Sequence, residues 1–264
     1  MPQKEFVPRN YRRLQANGHA STGSKAETEI SLQSTDGDAP FLFKFQALRP
    51  GLFRTTFSSR SHPLPPHPAA RQPAIDFENS SPTSSTTEKQ HTIKIGDVEA
   101  SVDWSDAPVV SIKLAGQEKA IHRDLPFRSY AVDSAGIAHY TWYKRDSLHV
   151  GLGEKSAPMN LSNRGFQIAA TDSFGYDCYA TDPLYKHIPL LINFTPEGCV
   201  ATFSTSHSRG SYNVGSEVCF ERLRMGDVNA DACRLTGCGA TSRCTGKIME
   251  DSRNILLLAR PFKK

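Results

Sequence analysis

His91-Thr92-Ile93-Lys94-Ile95-Gly96-Asp97-Val98-Glu99-Ala100-Ser101-Val102 is the stretch that decides the fold class. Apolar and polar residues alternate on both sides of Gly96-Asp97. Each arm therefore turns one face inward and the other outward, as a half-buried strand does. A two-residue connection holding Gly next to Asp supplies the positive φ that a tight hairpin needs. The same pattern continues in both directions. Upstream, Phe41-Leu42-Phe43-Lys44-Phe45 and Phe53-Arg54-Thr55-Thr56-Phe57 are aromatic-rich runs with the turn dipeptide Pro50-Gly51 between them. Downstream, residues 109–114, 137–143 and 148–152 read as strands, and 188–194 and 199–203 flank the turn Pro196-Glu197-Gly198. No amphipathic helix pattern precedes Val218. Many short strands separated by turn chemistry predict a mainly β protein, an antiparallel β-sandwich.

Two segments break the pattern. Residues 58–90 are rich in Pro, Ser, Thr and His, with Phe77 the single aromatic, and read as a long loop with little to bury. Residues 17–38 are similarly polar, although parts of them can pair as strands. After Glu217 the alternation stops, and Arg222, Arg224, Arg234 and Arg243 are scattered among Gly and Thr. The organisation expected is thus N-terminal strands over 1–57, a loop over 58–90, the main sandwich over 91–217, and an irregular, poorly ordered tail over 218–264. In that tail, only residues 255–258 have enough concentrated apolar character to pair, and then weakly at a sheet edge.

Composition narrows the function. Of 264 residues, 38% are apolar and 22% charged, which fits a globular protein with long polar connections. The net charge of +4 is dispersed along the chain, which argues against a nucleic-acid partner, whose contact face would concentrate basic residues. No run approaches the ~20 apolar residues of a membrane-spanning helix. Residues 1–13 are basic but are not followed by the apolar core of a secretory leader, so the expected location is cytoplasmic. Cys219, Cys233, Cys238 and Cys244 crowd the C-terminal region, but they do not make the paired C-x₂₋₄-C units of a zinc site. No metal and no cofactor is expected. Asn193-Phe194-Thr195 has the form of a glycosylation acceptor and is read here as strand sequence.

Between Gly151 and Glu217 the sequence becomes specific. Gly151-Leu152-Gly153-Glu154-Lys155 is followed by Leu161-Ser162-Asn163-Arg164-Gly165. Next come Thr171-Asp172-Ser173-Phe174-Gly175-Tyr176-Asp177 and Thr181-Asp182-Pro183-Leu184-Tyr185-Lys186-His187-Ile188-Pro189-Leu190, and then Ser211-Tyr212-Asn213-Val214-Gly215-Ser216-Glu217. Asp172, Asp177 and Asp182 recur every five residues in a loop rich in Gly and aromatics. Carboxylates beside Tyr176, Tyr179 and Tyr185 suit a sugar, whose hydroxyls need acceptors and whose C–H face needs a ring. Asp is also common in turns, because its side chain bonds the nearby backbone, and the residues alone leave both readings open. Arg164 can line a cleft or cap a strand in solvent.

In order and spacing these elements resemble the N-terminal, galactose mutarotase-like β-sandwich of glycoside hydrolase family 31, the α-glucosidase and α-xylosidase type. The resemblance implies that the loop carrying Asp172 reaches into an active-site cleft and that Asp172 contacts the sugar beyond the scissile bond. Asp177 and Arg164 are the further substrate-binding candidates. Tyr185, Lys186, Ile188 and Pro189 are expected to pack the supporting sheet. The partner implied is an α-linked oligosaccharide or glycoside.

Retaining glycoside hydrolysis needs two carboxyl groups about 5–5.5 Å apart. In family 31 both stand on strand ends of a (β/α)₈ barrel that follows the sandwich, the nucleophile in a W-x-D-M-x-E context. Here Trp104-Ser105-Asp106 is followed by Ala107-Pro108-Val109, so Asp106 is not expected to be catalytic. No catalytic residue is assigned. The chain is expected to be an N-terminal domain fragment that stops before the barrel and is inactive alone. One alternative is a non-catalytic carbohydrate-binding or interaction protein. A second is a mutarotase-like isomerase using His139, His149 or His187 with Glu154. Other motif fragments fail on context: His122-Arg123-Asp124 lacks the Asn of a kinase loop, with Ser129 in its place.

Overall fold

The computed structural model describes residues 12–34, 41–59, 75–77, 80–126, 129–133, 136–144, 146–205, 210–215, 240–245 and 253–261. All regular structure among them is β, and no helix is present there. The strands of the first half are β1 (Arg12–Ser24), β2 (Glu27–Ser34), β3 (Phe41–Arg49), β4 (Leu52–Ser59), β5 (Thr83–Thr86), β6 (Gln90–Ile95), β7 (Val98–Asp103), β8 (Val109–Leu114) and β9 (His122–Arg123). Those of the second half are β10 (Tyr130–Asp133), β11 (Gly136–Thr141), β12 (Leu148–Gly153), β13 (Arg164–Ile168), β14 (His187–Phe194), β15 (Gly198–Ser204), β16 (Gly210–Val214), β17 (Ala240–Thr245) and β18 (Arg253–Pro261).

The hairpin read from residues 91–102 is present as β6 and β7, with Ile95 opposite Val98 and Gly96 at φ +57°. β5 to β9 form a five-stranded antiparallel sheet in sequence order. The other thirteen strands make one continuous antiparallel ribbon in the order β12-β14-β15-β18-β4-β3-β2-β1-β10-β11-β17-β16-β13. β1 joins the ribbon's two halves. Its first residues, Arg12 and Arg13, pair with β10, and from Leu14 onward it pairs with β2 through two register shifts. Such bulges bend a strand and increase its twist, which lets one strand serve two sheets.

The five-stranded sheet packs on the middle of the ribbon over the larger core. Leu14, Ile30, Leu32, Phe43, Phe45, Phe53 and Phe57 from β1–β4 meet Ile93, Ala100, Val102, Val110 and Ile112 from β6–β8. Phe45 stacks on Phe53 at 5.8 Å and Phe41 on Phe57 at 5.4 Å. Burying one such side chain contributes about 1.5–3 kcal/mol, so the aromatic runs at 41–45 and 53–57 dominate this core. Phe77, the aromatic of the Pro/Ser-rich segment, packs against the same core, and the Asp76 N–H donates to Leu48 O at 2.8 Å. Residues 83–86 of that segment form the edge strand β5, while 60–74 and 78–79 lie outside the described residues.

A second core closes the ribbon on itself. Leu152 and Leu191 from one end meet Phe166, Ile168, Tyr212 and Val214 from the other, with Tyr143 and Leu161 between them. The Tyr212 hydroxyl donates to Pro189 O at 3.2 Å, which ties the two ends together. β12 and β13 are the terminal strands, and no strand pairing joins them.

The weak edge pairing expected of residues 255–258 is corrected. β18 lies inside the ribbon, with Ile255 opposite Ser204 of β15 on one side and Thr55 of β4 on the other. β17 is likewise paired on both sides, by β11 and β16. Both strands belong to the C-terminal segment expected to be irregular. Backbone hydrogen bonding to two neighbours does not require the alternation that the sequence lacks there. Cys219, Cys233 and Cys238 lie outside the described residues.

Candidate functional site

Asp172 lies in residues 169–186, the connection from β13 at one end of the ribbon to β14 near the other. The loop therefore bridges the two ends over the second core. Its side chains are unusually exposed: Phe174 is 99% accessible, Tyr179 86% and Tyr176 52%. Large aromatics in solvent at this density mark a contact surface. Asp172 is exposed as well. The Tyr185 phenol is close enough to Asp172 to feel its charge, and Tyr176 meets the Tyr185 ring edge-on at 6.5 Å. The Tyr185 phenol is pushed up from its ordinary value, by partial loss of solvent first and by the Asp172 charge second. Tyr185 and Ile188, expected to pack the supporting sheet, are 45% and 50% accessible, so they extend the surface instead.

Asp177 and Asp182 differ from Asp172 in what holds them. Asp177 organises the turn at the loop's tip. Its carboxylate accepts the Tyr179 N–H at 2.8 Å, its own N–H donates to Thr181 Oγ1 at 2.9 Å, and its carbonyl accepts the Thr181 N–H at 3.0 Å. Asp182 is engaged through both oxygens. Oδ1 accepts from Lys155 Nζ at 2.8 Å, and Oδ2 accepts the Gln167 N–H at 2.6 Å. In the sequence Asp182 belongs both to the five-residue Asp repeat and to the stretch that begins Thr181-Asp182-Pro183. No local pattern links it to Lys155, which is 27 residues away in sequence. Arg164 opens β13 opposite Val214, and its side chain is exposed.

The glycines of Gly151-Leu152-Gly153 are explained by backbone geometry. Gly151, Leu152 and Gly153 all have positive φ, at 124°, 63° and 79°, and interrupt the pairing of β12 with β14. The turn delivers Glu154, whose N–H donates to Lys186 O at 3.0 Å and whose carboxylate accepts the Lys186 N–H at 3.1 Å. This fixes the far end of the Asp172 loop.

The remaining candidates have structural duties. Asp106 Oδ1 accepts from Gln15 Nε2 at 2.8 Å, and the adjacent Trp104 is in the larger core. His139 is buried, with Nε2 2.8 Å from Asp124 Oδ1 and its ring stacked on Tyr130 at 4.7 Å. Asp124 also accepts the Val110 N–H at 3.0 Å. Burial by itself would raise the Asp124 carboxyl, but His139 and His122 outweigh it and hold it at about 2. His149 is buried and stacked on Tyr143 at 5.0 Å. Neither buried imidazole can meet a sugar. His187, opposite Gly153, is half-buried, while Glu154 is already bonded to Lys186.

The described strands form an antiparallel sandwich, and an exposed loop rich in Asp and Tyr crosses its ends. The model of the glycosyl hydrolase 31 N-terminal galactose mutarotase-like domain matches residues 42–213, and the chain belongs to this family. Three solved structures show the fold. A family 31 dextranase of Flavobacterium johnsoniae complexed with glucose is 14% identical at a TM-score of 0.66, over 92% of this chain and 26% of that one. The cycloalternan-forming enzyme of Listeria monocytogenes, in complex with a pentasaccharide substrate, is 11% identical at a TM-score of 0.71, over 95% and 21%. The glucosidase II alpha subunit is 11% identical at a TM-score of 0.66, over 94% and 32%. The chain thus spans between about a fifth and a third of these enzymes' lengths. No curated protein matches it.

Proposed function

We propose that this domain supplies a sugar-contacting loop to an α-glycoside-processing site of the family 31 type. The observation that carries the reading is the exposed Asp172 carboxylate among Phe174, Tyr176, Tyr179 and Tyr185 on one loop. A carboxylate is an acceptor for sugar hydroxyls, and exposed ring faces can pack on the C–H face of a pyranose. Asp177 keeps one carboxylate oxygen beyond its turn bond for a second hydroxyl, and Arg164 presents a donor at the start of β13. The proposed partner is an α-linked oligosaccharide. The described residues hold no helix and so no unit of a (β/α)₈ barrel, and the family's retaining chemistry needs two carboxyl groups on such a barrel. The domain's own part is therefore binding and positioning.

Two measurements test this. The purified chain is expected not to hydrolyse maltose or aryl α-glucosides above the buffer rate. Turnover abolished by Asp106→Ala or Asp172→Ala would refute the assignment. Titration with maltooligosaccharides, followed by NMR, should shift the resonances of residues 172–185 and spare those of β6–β8. The same exposed rings favour a second reading, a free-standing carbohydrate-binding module. That reading requires saturable binding by this chain alone.

A further inference from the structure

The Asp172 loop crosses between two strand ends that no backbone pairing connects, so something else must fix its position. Lys155, two residues past β12, reaches across that gap. Its side chain is only 3% exposed. Nζ donates to Gln167 O of β13 at 2.5 Å and to Asp182 Oδ1 at 2.8 Å, and it lies 5.8 Å from the Phe166 ring. Asp182 Oδ2 completes the arrangement by accepting the Gln167 N–H at 2.6 Å. The outward N–H and C=O of one residue on an edge strand are thus satisfied by a carboxylate and an ammonium, in place of a neighbouring strand. A buried ammonium is costly unless paired and hydrogen-bonded, and here the pairing is specific in geometry.

From this geometry we propose that Lys155 is a positioning residue for Asp172. By pinning Asp182 to β13, it sets where the loop's acidic and aromatic groups stand relative to the second core. The constraint passes from Asp182 to Asp172 along the loop's base. The Ser173 hydroxyl donates to Pro183 O at 2.9 Å and the Thr171 N–H donates to Leu184 O at 3.4 Å, which holds the backbone on both sides of Asp172. The proposal rests on the reading that Asp172 meets a sugar, but its test is independent of any sugar.

The test uses the full chain and compares Lys155→Met, which keeps the aliphatic stem, with Lys155→Arg, which keeps the charge. Amide exchange of residues 171–182 and the NMR titration of the Tyr185 ring are read together. Lys155→Met should speed exchange in the loop about tenfold or more while β6–β8 keep their protection. It should also lower the Tyr185 titration midpoint, because the phenol loses its fixed place beside Asp172. Lys155→Arg should recover most of both effects. Unchanged loop exchange with an unchanged Tyr185 midpoint would overturn the proposal. So would exchange accelerated equally in the loop and in β6–β8, which is what a role in global stability alone would give. Maltooligosaccharide affinity that is unaltered by Asp172→Ala would overturn the sugar reading separately, with the loop measurements still deciding Lys155.

Discussion

Gly153→Ala isolates steric exclusion at the base of the loop from backbone strain. Gly153 has φ +79°, and a Cβ there would stand 2.8 Å from Ile188 N, 2.9 Å from Lys186 O and 3.1 Å from His187 Cα. All three are backbone atoms, so no side-chain rotation relieves them. Gly116 has a closely similar φ of +76°, and a Cβ there meets nothing within 4 Å. Gly116→Ala should therefore show the left-handed strain alone, about 1 kcal/mol. Gly153→Ala adds an overpacking cost of about 1–3 kcal/mol, which brings the total to roughly 2–4 kcal/mol. For a chain of this size that is a Tm lowered by about 4–16 °C, against about 2–4 °C for Gly116→Ala. Relief requires β14 to retreat from β12, which would loosen the bond from the Glu154 N–H to Lys186 O, now 3.0 Å. The assay is urea unfolding of both variants beside the parent, with equal m-values required before midpoints are compared. Equal losses at Gly153 and Gly116 would refute the steric argument and return Gly153 to backbone permissiveness alone.

Asp124 makes stability depend on acid. Its folded value of about 2 lies below the ordinary 3.8, so its contribution is complete above about pH 4 and disappears as the pH falls through 2. The size is about 2 kcal/mol, and Asp124→Asn should flatten the urea midpoint against pH over that window. A proline tests β18: Leu257, opposite Thr202 and Phe53, lies in a strand paired on both sides, so Leu257→Pro should lower the Tm by several degrees or prevent folding. A melting curve superimposable on the parent's would place β18 outside the cooperative unit.

Strand identity was legible wherever the period of two was intact. Residues 91–102 could satisfy their alternation only as a half-buried hairpin, and the aromatic runs at 41–45 and 53–57 carry enough apolar surface to dominate a core. The loop with Asp172 at its exposed side was legible too, from its density of Asp, Gly and Tyr and from its resemblance to the family 31 pattern. Alternation, however, fixes which face of a strand is buried and says nothing about which strand lies beside it. Residues 253–261 could not be recognised as an interior strand, because the hydrogen bonds that seat them between β15 and β4 come from backbone groups that every sequence carries. The same limit hid the clasp. Asp182 reads as one more turn aspartate, and Lys155 as a charge after a glycine turn. Their pairing, with Gln167 between them, exists because the curled ribbon brings the free edge of β13 beside the residues that follow β12. The sequence by itself determined the fold class, the hairpins and the chemical character of the loop, since these follow from local periodicity and composition. The tertiary structure alone decided that Asp182 is engaged through both oxygens while Asp172 stands exposed, because that depends on which groups the closing ribbon brings together.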